Sequence, residues 1–94
     1  MVLTTDIIRS VQGEADAQAV YREVLKTGDL AAFARQYAFD EDHRVARNAL
    51  WVLTKADDKE IAQLQPMMDE LIDQALKTES SSVRRLSLNV VERL

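Results

Sequence analysis

The stretch Asp42-His43-Arg44-Val45-Ala46-Arg47-Asn48-Ala49-Leu50-Trp51-Val52-Leu53 decides how this chain is read, because a second stretch answers it. That second stretch is Ser80-Ser81-Ser82-Val83-Arg84-Arg85-Leu86-Ser87-Leu88-Asn89-Val90-Val91. At an offset of 83 − 45 = 38 residues, Val45, Arg47, Leu50 and Val52 meet identical residues at Val83, Arg85, Leu88 and Val90. Ala49 meets Ser87, small against small, and Leu53 meets Val91. A period of this size is the mark of stacked supersecondary units, each too small to bury its apolar face alone.

The first copy reads as a helix from His43 to about Ala56. Asp42 is a good N-cap, since its carboxylate accepts from free backbone N–H groups at the positive end of the helix dipole. Val45, Ala49, Val52 and Ala56 make one stripe, and Ala46, Leu50 and Leu53 widen it to nearly half the circumference. A stripe that wide buries against two neighbours. Upstream, Asp40-Glu41-Asp42 is an acidic turn. Before it, Asp29 caps a helix with Leu30, Phe33, Ala34 and Tyr37 inward, ending at Ala38 or Phe39. Gly28 suits the left-handed position after a helix running from about Asp16 to Thr27. In that helix Ala17, Val20, Tyr21, Val24 and Leu25 share one side at ~100° per residue. Thr4 or Thr5 caps a short first helix carrying Ile7, Ile8 and Val11, with Gly13 as its stop.

Downstream, Asp57 opens a segment with Glu60 as a capping-box partner. Ile61 and Leu64 carry the pattern to Pro66, where a break or kink is expected because proline has no N–H to donate. A renewed helix starts at Pro66 and runs to Lys77, with Met67, Met68, Leu71, Ile72, Ala75 and Leu76 buried and Asp69, Glu70 and Asp73 outside. Thr78 to Ser82 is a polar turn, and Ser81 or Ser82 caps a last helix from Val83 to Leu94. No strand-period run competes, so the chain reads as all-α, three helix pairs with short connections.

Composition agrees with one soluble globular domain spanning residues 1–94: 47% apolar and 30% charged residues, two Gly and one Pro in 94 residues. Cysteine is absent, so no disulfide and no thiolate metal site forms. A reducing, cytoplasmic setting is expected. The N-terminus lacks the features of a signal peptide, and no apolar run has membrane-spanning length. A formal charge of −4 weighs against nonspecific nucleic-acid binding, which draws on phosphate neutralisation.

The pattern resembles HEAT repeats. Such a repeat is two antiparallel helices, the second opening with Asp, then Val-Arg, a small residue four after the Val and a Leu eight after it. Asp42, Val45, Ala49 and Leu53 match in the first copy. Val83, Arg84, Ser87 and Val91 match in the second, with Ser80 where Asp is usual. Leu64 to Leu76, with Pro66, looks like the first helix of a repeat. The resemblance runs from about Asp29 to the end. At Ala46 the chain departs from the Arg of the motif, which puts in question the Asp–Arg ladder that the family implies; Arg44 or Arg47 would have to substitute. Tetratricopeptide repeats need a period of about 34 and a Gly between helices, and neither is present. The resemblance implies a right-handed superhelix of about three antiparallel helix pairs, with second helices lining a concave side. It also implies a noncatalytic protein-binding scaffold, although a minority of HEAT-like folds act on DNA or tetrapyrroles.

On the helical wheel, Trp51 stands opposite the apolar stripe with Arg44, Arg47, Asn48 and Lys55. The offset of 38 adds Arg85, Asn89 and Arg93. Trp and Arg are enriched at binding hot spots, Asn can bond peptide backbone, and Arg clamps carboxylates bidentately. The expected partner is therefore an acidic or extended protein segment. The competing reading packs Trp51 under a neighbour and pairs the arginines internally. A DNA-binding domain of the DNA-repair type is the alternative function, and a structural piece of a larger assembly is the second alternative. No catalytic, cofactor or metal site is expected. His43 is the only histidine, a poor zinc set beside Asp40, Glu41 and Asp42, and reads as an exposed first-turn residue. Ser80-Ser81-Ser82 has no general base at a readable spacing. Met67-Met68 reads as core, and Asp69 with Asp73 as a solvated face. The last helix closes on Val90, Val91 and Leu94 without a polar cap, so the chain is expected to be the N-terminal part of a longer array or to pair with another copy.

Overall fold

The computed structural model describes residues 2–94, and among these every regular element is helical. Helix α1 spans Thr5–Arg9 and α2 spans Glu14–Thr27; α3 spans Leu30–Phe33 and runs on as a π-helical turn over Ala34–Ala38. Helix α4 spans His43–Leu53. Helix α5, Asp58–Ile61, continues as 3₁₀ turns over Ala62–Met67 into α6, Met68–Lys77, and α7 spans Ser81–Glu92.

The caps explain these boundaries. Thr4 Oγ1 accepts from the Ile7 N–H at 3.2 Å and starts α1. Gly13 does not stop that helix, which ends at Arg9; in extended backbone it is instead the N-cap of α2. Gly28 closes α2 at φ 70°, the left-handed conformation that L side chains avoid. Asp29 caps α3 through the Ala32 N–H at 2.9 Å, and Asp42 caps α4 through the Arg44 N–H at 2.9 Å. Asp57 accepts from the Glu60 N–H at 2.8 Å, while the Glu60 carboxylate accepts from the Gln63 amide at 3.0 Å. The cap of α7 is Ser80, one residue earlier than expected, accepting from the Val83 N–H at 3.2 Å. Ser80 lies 38 residues after Asp42, so the two second helices start in the same register.

Pro66 falls inside the 3₁₀ turns, and α-helix resumes at Met68 rather than at Pro66. Its missing N–H and its ring both oppose an i→i−4 ladder there. Helix α4 also ends early, at Leu53, but Ala56 still closes the core from the following turn.

The helices pair as hairpins: α4 lies against α3 and its π turn, and α6 against α7. Helix α7 then stacks on α4, while α1 and α2 cover the other side of α4. This places α4 at the centre. Val45, Ala49, Leu50, Val52 and Leu53 are all fully buried there. Each such leucine or valine contributes about 1.5–3 kcal/mol by leaving water. Two burial expectations fail. Leu25 and Leu76 are exposed, Leu76 by 77%, and Met68 and Ile72 are only half-buried. The helical period named their side correctly, but the side of α6 that carries Met68, Ile72 and Leu76 meets no neighbour among the described residues.

Candidate functional site

Around the axis of α4 three sectors separate at ~100° per residue. The first sector faces the preceding pair and is polar. Asn48 is fully buried there, and its Nδ2 lies 2.9, 3.1 and 3.2 Å from the carbonyl oxygens of Ile8, Arg9 and Val11. Its Oδ1 accepts from Arg47 Nε at 3.2 Å and Nη2 at 3.0 Å. Asn48 is therefore no part of an exposed face; it ties the end of α1 to α4. Buried amides need partners, and the carbonyls at and just after the C-terminal end of α1 supply them. Lys55 occupies the same sector. Its ammonium meets the Glu14 carboxylate at 2.6 Å and stands 5.8 Å from the Trp51 ring centroid.

Helix α7 repeats the arrangement. Arg93, the counterpart of Lys55, pairs with Asp58 at 2.9 Å. Glu14 and Asp58 are each the first residue of their helix. Both cations thus lock one helix pair to the one before it, and neither Lys55 nor Arg93 stands free for a partner. Lys55 also holds the Glu14 carboxyl below its ordinary range, with Gln18 assisting.

The second sector, Ala46, Leu50 and Leu53, is apolar and lies on the α7 side. The arginine that the HEAT motif expects at Ala46 is absent, and two other side chains take over its work. Gln74 Nε2 reaches the Ala38 carbonyl at the end of the π turn, 3.0 Å away. Arg9 takes the Asp42 carboxylate at 2.9 Å, so the substitute comes from α1 and not from Arg44 or Arg47. The Arg9 guanidinium, with the Arg44 N–H behind it, keeps the Asp42 carboxyl below the usual carboxylate range. In the second copy Arg84 forms no Asp–Arg rung among the described residues and bonds backbone carbonyls instead. Its Nε and Nη2 donate to the carbonyls of Ala75 at 3.1 Å and Thr78 at 2.6 Å, capping the C-terminal end of α6.

The third sector faces solvent. It holds Arg44, Arg47 and Trp51 on α4 and Ser82, Arg85 and Asn89 on α7. Arg44, Arg85 and Asn89 are exposed, Arg47 half-buried. Among the described residues no carboxylate comes within salt-bridge distance of Arg44, Arg47 or Arg85. Trp51 lies between Arg44 and Arg47 on the wheel, but it is half-buried and packed partly against the core rather than fully exposed. The Lys55 ammonium stands beside the indole, 5.8 Å from the ring centroid. Near the N-terminal ends of both helices, His43, Arg44, Arg47, Ser80 and Ser82 line a shallow cleft of about 390 Å³. The structure thus brings five of the eight expected side chains onto one surface and assigns Asn48, Lys55 and Arg93 to joints between helix pairs. The wheel held a signal for Asn48: it sits about 40° from Val52, at the margin of the stripe rather than opposite it.

A larger cleft is of another kind. At about 530 Å³, it lies between the N-terminal segment, α2 and α3, lined by Val2, Leu3, Val24, Phe33, Tyr37 and others, with no Lys, Arg or His among the described lining residues. Among the described residues no group of His, Asp or Glu side chains converges to hold a metal ion. No helix there is long and apolar enough to cross a membrane.

The family model of the HEAT repeat domain matches residues 5–94. No curated protein and no solved structure matches the chain. Domains of this kind are in general noncatalytic modules for protein interaction or scaffolding. The match begins at α1 and so includes the pair upstream of Asp29, where the repeat motif itself cannot be read. With its hairpins stacked in register and its second helices locked rung to rung, the chain belongs to the HEAT-repeat family.

Proposed function

We propose that this domain is a noncatalytic interaction module whose solvent sector on α4 and α7 takes an acidic, extended segment of a partner protein. The observation that carries this is the trio Arg44, Arg47 and Arg85, left without carboxylate partners on a chain of formal charge −4. In an acidic protein the cheapest place for an arginine is beside one of its own carboxylates, and the arginines of the joints are so placed. Three guanidiniums on one surface instead favour an incoming carboxylate, which Arg44 and Arg85 can each clamp through two parallel N–H bonds, while Arg47, held by Asn48 Oδ1, adds its remaining donors. Asn89 adds a donor and an acceptor for peptide backbone, and the exposed edge of Trp51 adds apolar contact area.

The cationic strip is narrow, one helix face on each of two helices, which suits a single extended chain better than the broad phosphate lattice of duplex DNA. Titration of an extended Glu/Asp-rich peptide against the intrinsic fluorescence of Trp51 tests this. Saturable binding that weakens with salt is expected, and the double variant R44E/R85E is expected to weaken it by roughly a hundredfold, about 1.4 kcal/mol for each arginine. Binding that the double variant leaves unchanged, or a duplex DNA that outcompetes the peptide, refutes the assignment.

A further inference from the structure

We infer that the cleft between the N-terminal ends of α4 and α7 seats a phosphomonoester, a phosphorylated serine or threonine carried by the acidic partner segment. This rests on the reading of the solvent sector as the partner's surface, and it names the group that sets the segment's register there.

The repeat builds the cleft. Arg44 and Ser82 are each the second residue of their helix and lie 38 residues apart, so the register of the stack makes them the first rung of the sector. Arg47 and Arg85 make the next rung, and Trp51 and Asn89 the one after. The first rung sets an arginine against a serine. The small side chain leaves the hollow of about 390 Å³ that His43, Arg44, Arg47, Ser80 and Ser82 line. It lies between two second helices, so hairpins added at either end of the stack leave it open on the concave side.

The lining is that of an anion seat. Arg44 has no carboxylate within salt-bridge distance among the described residues. Arg47 spends Nε and Nη2 on Asn48 Oδ1, at 3.2 and 3.0 Å, which fixes the guanidinium and leaves Nη1 to donate. Ser80 Oγ accepts from the Val83 N–H at 3.2 Å and keeps its own hydrogen to give. Ser82 adds a second hydroxyl and His43 a ring N–H. The nearby carboxylates are engaged elsewhere. Asp42 is held by Arg9 and the Arg44 N–H, and Asp40 and Glu41 line the neighbouring hollow that shares His43. A carboxylate is planar and offers two oxygens, which one guanidinium fork satisfies; it would leave the hydroxyls and the second guanidinium unused. A phosphomonoester presents three terminal oxygens and a charge of about −1.5 to −2, which donors converging from two helices take together. A nucleic-acid phosphodiester has two such oxygens and one charge, and brings a run of further phosphates toward a chain of formal charge −4.

Fluorescence anisotropy with two labelled Glu/Asp-rich peptides tests this on the whole chain, one peptide carrying a central phosphoserine and the other a serine there. The phosphopeptide is expected to bind roughly tenfold or more tighter, the worth of one charge-assisted bond. Inorganic phosphate at constant ionic strength is expected to erode that preference. Ser82→Glu puts the chain's own carboxylate into the cleft, in the first turn of α7 where an acid suits the helix dipole. Arg44→Gln removes an exposed guanidinium. Each is expected to bring the two affinities together, with helicity by circular dichroism unchanged. Arg85→Glu, outside the cleft, is expected to weaken both peptides and leave their ratio as it was. Equal binding of the two peptides to the unmodified chain overturns the inference and leaves the proposed function standing, whereas failure of both to bind overturns the two together. A preference that survives both Ser82→Glu and Arg44→Gln, one that Arg85→Glu abolishes, or a single-stranded nucleic acid that outcompetes the phosphopeptide also overturns it.

Discussion

Replacing Asn48 by alanine tests the joint on which the central helix depends. The amide nitrogen has two hydrogens and three carbonyl oxygens within 3.2 Å, those of Ile8, Arg9 and Val11. It therefore makes two good bonds at a time, with one hydrogen shared. The Ile8 carbonyl keeps the Val11 N–H at 3.2 Å after the change, so it is not orphaned. The Arg9 and Val11 carbonyls lose the amide. Two lost bonds at about 1 kcal/mol each, plus partial desolvation cost for the carbonyls left behind, give a loss of about 2–4 kcal/mol. A domain of this length has about 5–14 kcal/mol in all, so the variant folds but with a large part of its margin gone. Urea denaturation followed by circular dichroism reads this directly. With a slope of about 1–2 kcal/mol per molar, the midpoint falls by about 2 M. Asn48→Asp is expected to be at least as damaging at neutral pH, because a carboxylate offers no donor and faces the same carbonyls. A loss under about 0.5 kcal/mol, the range of exposed sites, refutes the reasoning. It would mean that water already serves these carbonyls and that α1 is held by its apolar contacts alone.

Other outcomes follow from single residues. Gly28→Ala is expected to cost about 1 kcal/mol in thermal or urea melts. A Cβ there meets nothing within 4 Å, so the whole cost is backbone strain at φ 70° and not a clash. Arg84→Ala leaves the Ala75 and Thr78 carbonyls unbonded and is expected to cost about 1–2 kcal/mol, with faster hydrogen exchange concentrated at the end of α6. The Asp42 carboxyl is depressed by Arg9 and the Arg44 N–H, so its stabilisation is fully present above the unfolded carboxylate value of about 4 and is lost as pH falls through the lower folded value. The part of acid destabilisation seen below about pH 4 should shrink in Asp42→Asn, measured as the difference in midpoint between pH 7 and pH 3.

Much of the architecture was legible because it rests on local chemistry. The caps at Thr4, Asp29, Asp42 and Asp57 and the left-handed Gly28 act within four residues of themselves, and the stripe of α4 follows from its period. The π turn at Ala34–Ala38 and the resumption of helix at Met68 were not legible. They depend on how Tyr37 reaches the Leu3 carbonyl and how the turns around Pro66 pack, contacts that span tens of residues. The burial of Leu76 was misjudged for a related reason. A hydrophobic period says which side of a helix is apolar but not whether a neighbour is there to cover it. The Asp–Arg rung at Asp42 was misplaced because its arginine, Arg9, lies 33 residues upstream, outside the repeat in which it was sought.

The candidate site shows the same division more sharply. A wheel sorts side chains into apolar and polar, and on that basis Arg44, Arg47, Asn48, Trp51 and Lys55 belong together. In a stacked array, however, a central helix has two flanks as well as an inner and an outer face, and polar residues serve one of those flanks. Here the flank toward the preceding pair is polar and carries Asn48, Lys55 and Arg93, each matched to a helix terminus of its neighbour. The flank toward the following pair is apolar and carries Leu50 in one copy and Leu88 in the other. What remains for a partner is the narrow sector between them. The same repeat that made eight residues look equivalent also tells the flanks apart, because a position used as a joint in one copy, Lys55 on Glu14, is used as a joint in the next, Arg93 on Asp58. Arg47 and Arg85 pass that comparison in the opposite sense. Identical in type and 38 residues apart, they are unpaired with any carboxylate of the described residues in both copies. In the first copy the guanidinium also steadies the joint, since Arg47 donates to Asn48 Oδ1, so of the two it is Arg85 that no stacking contact explains.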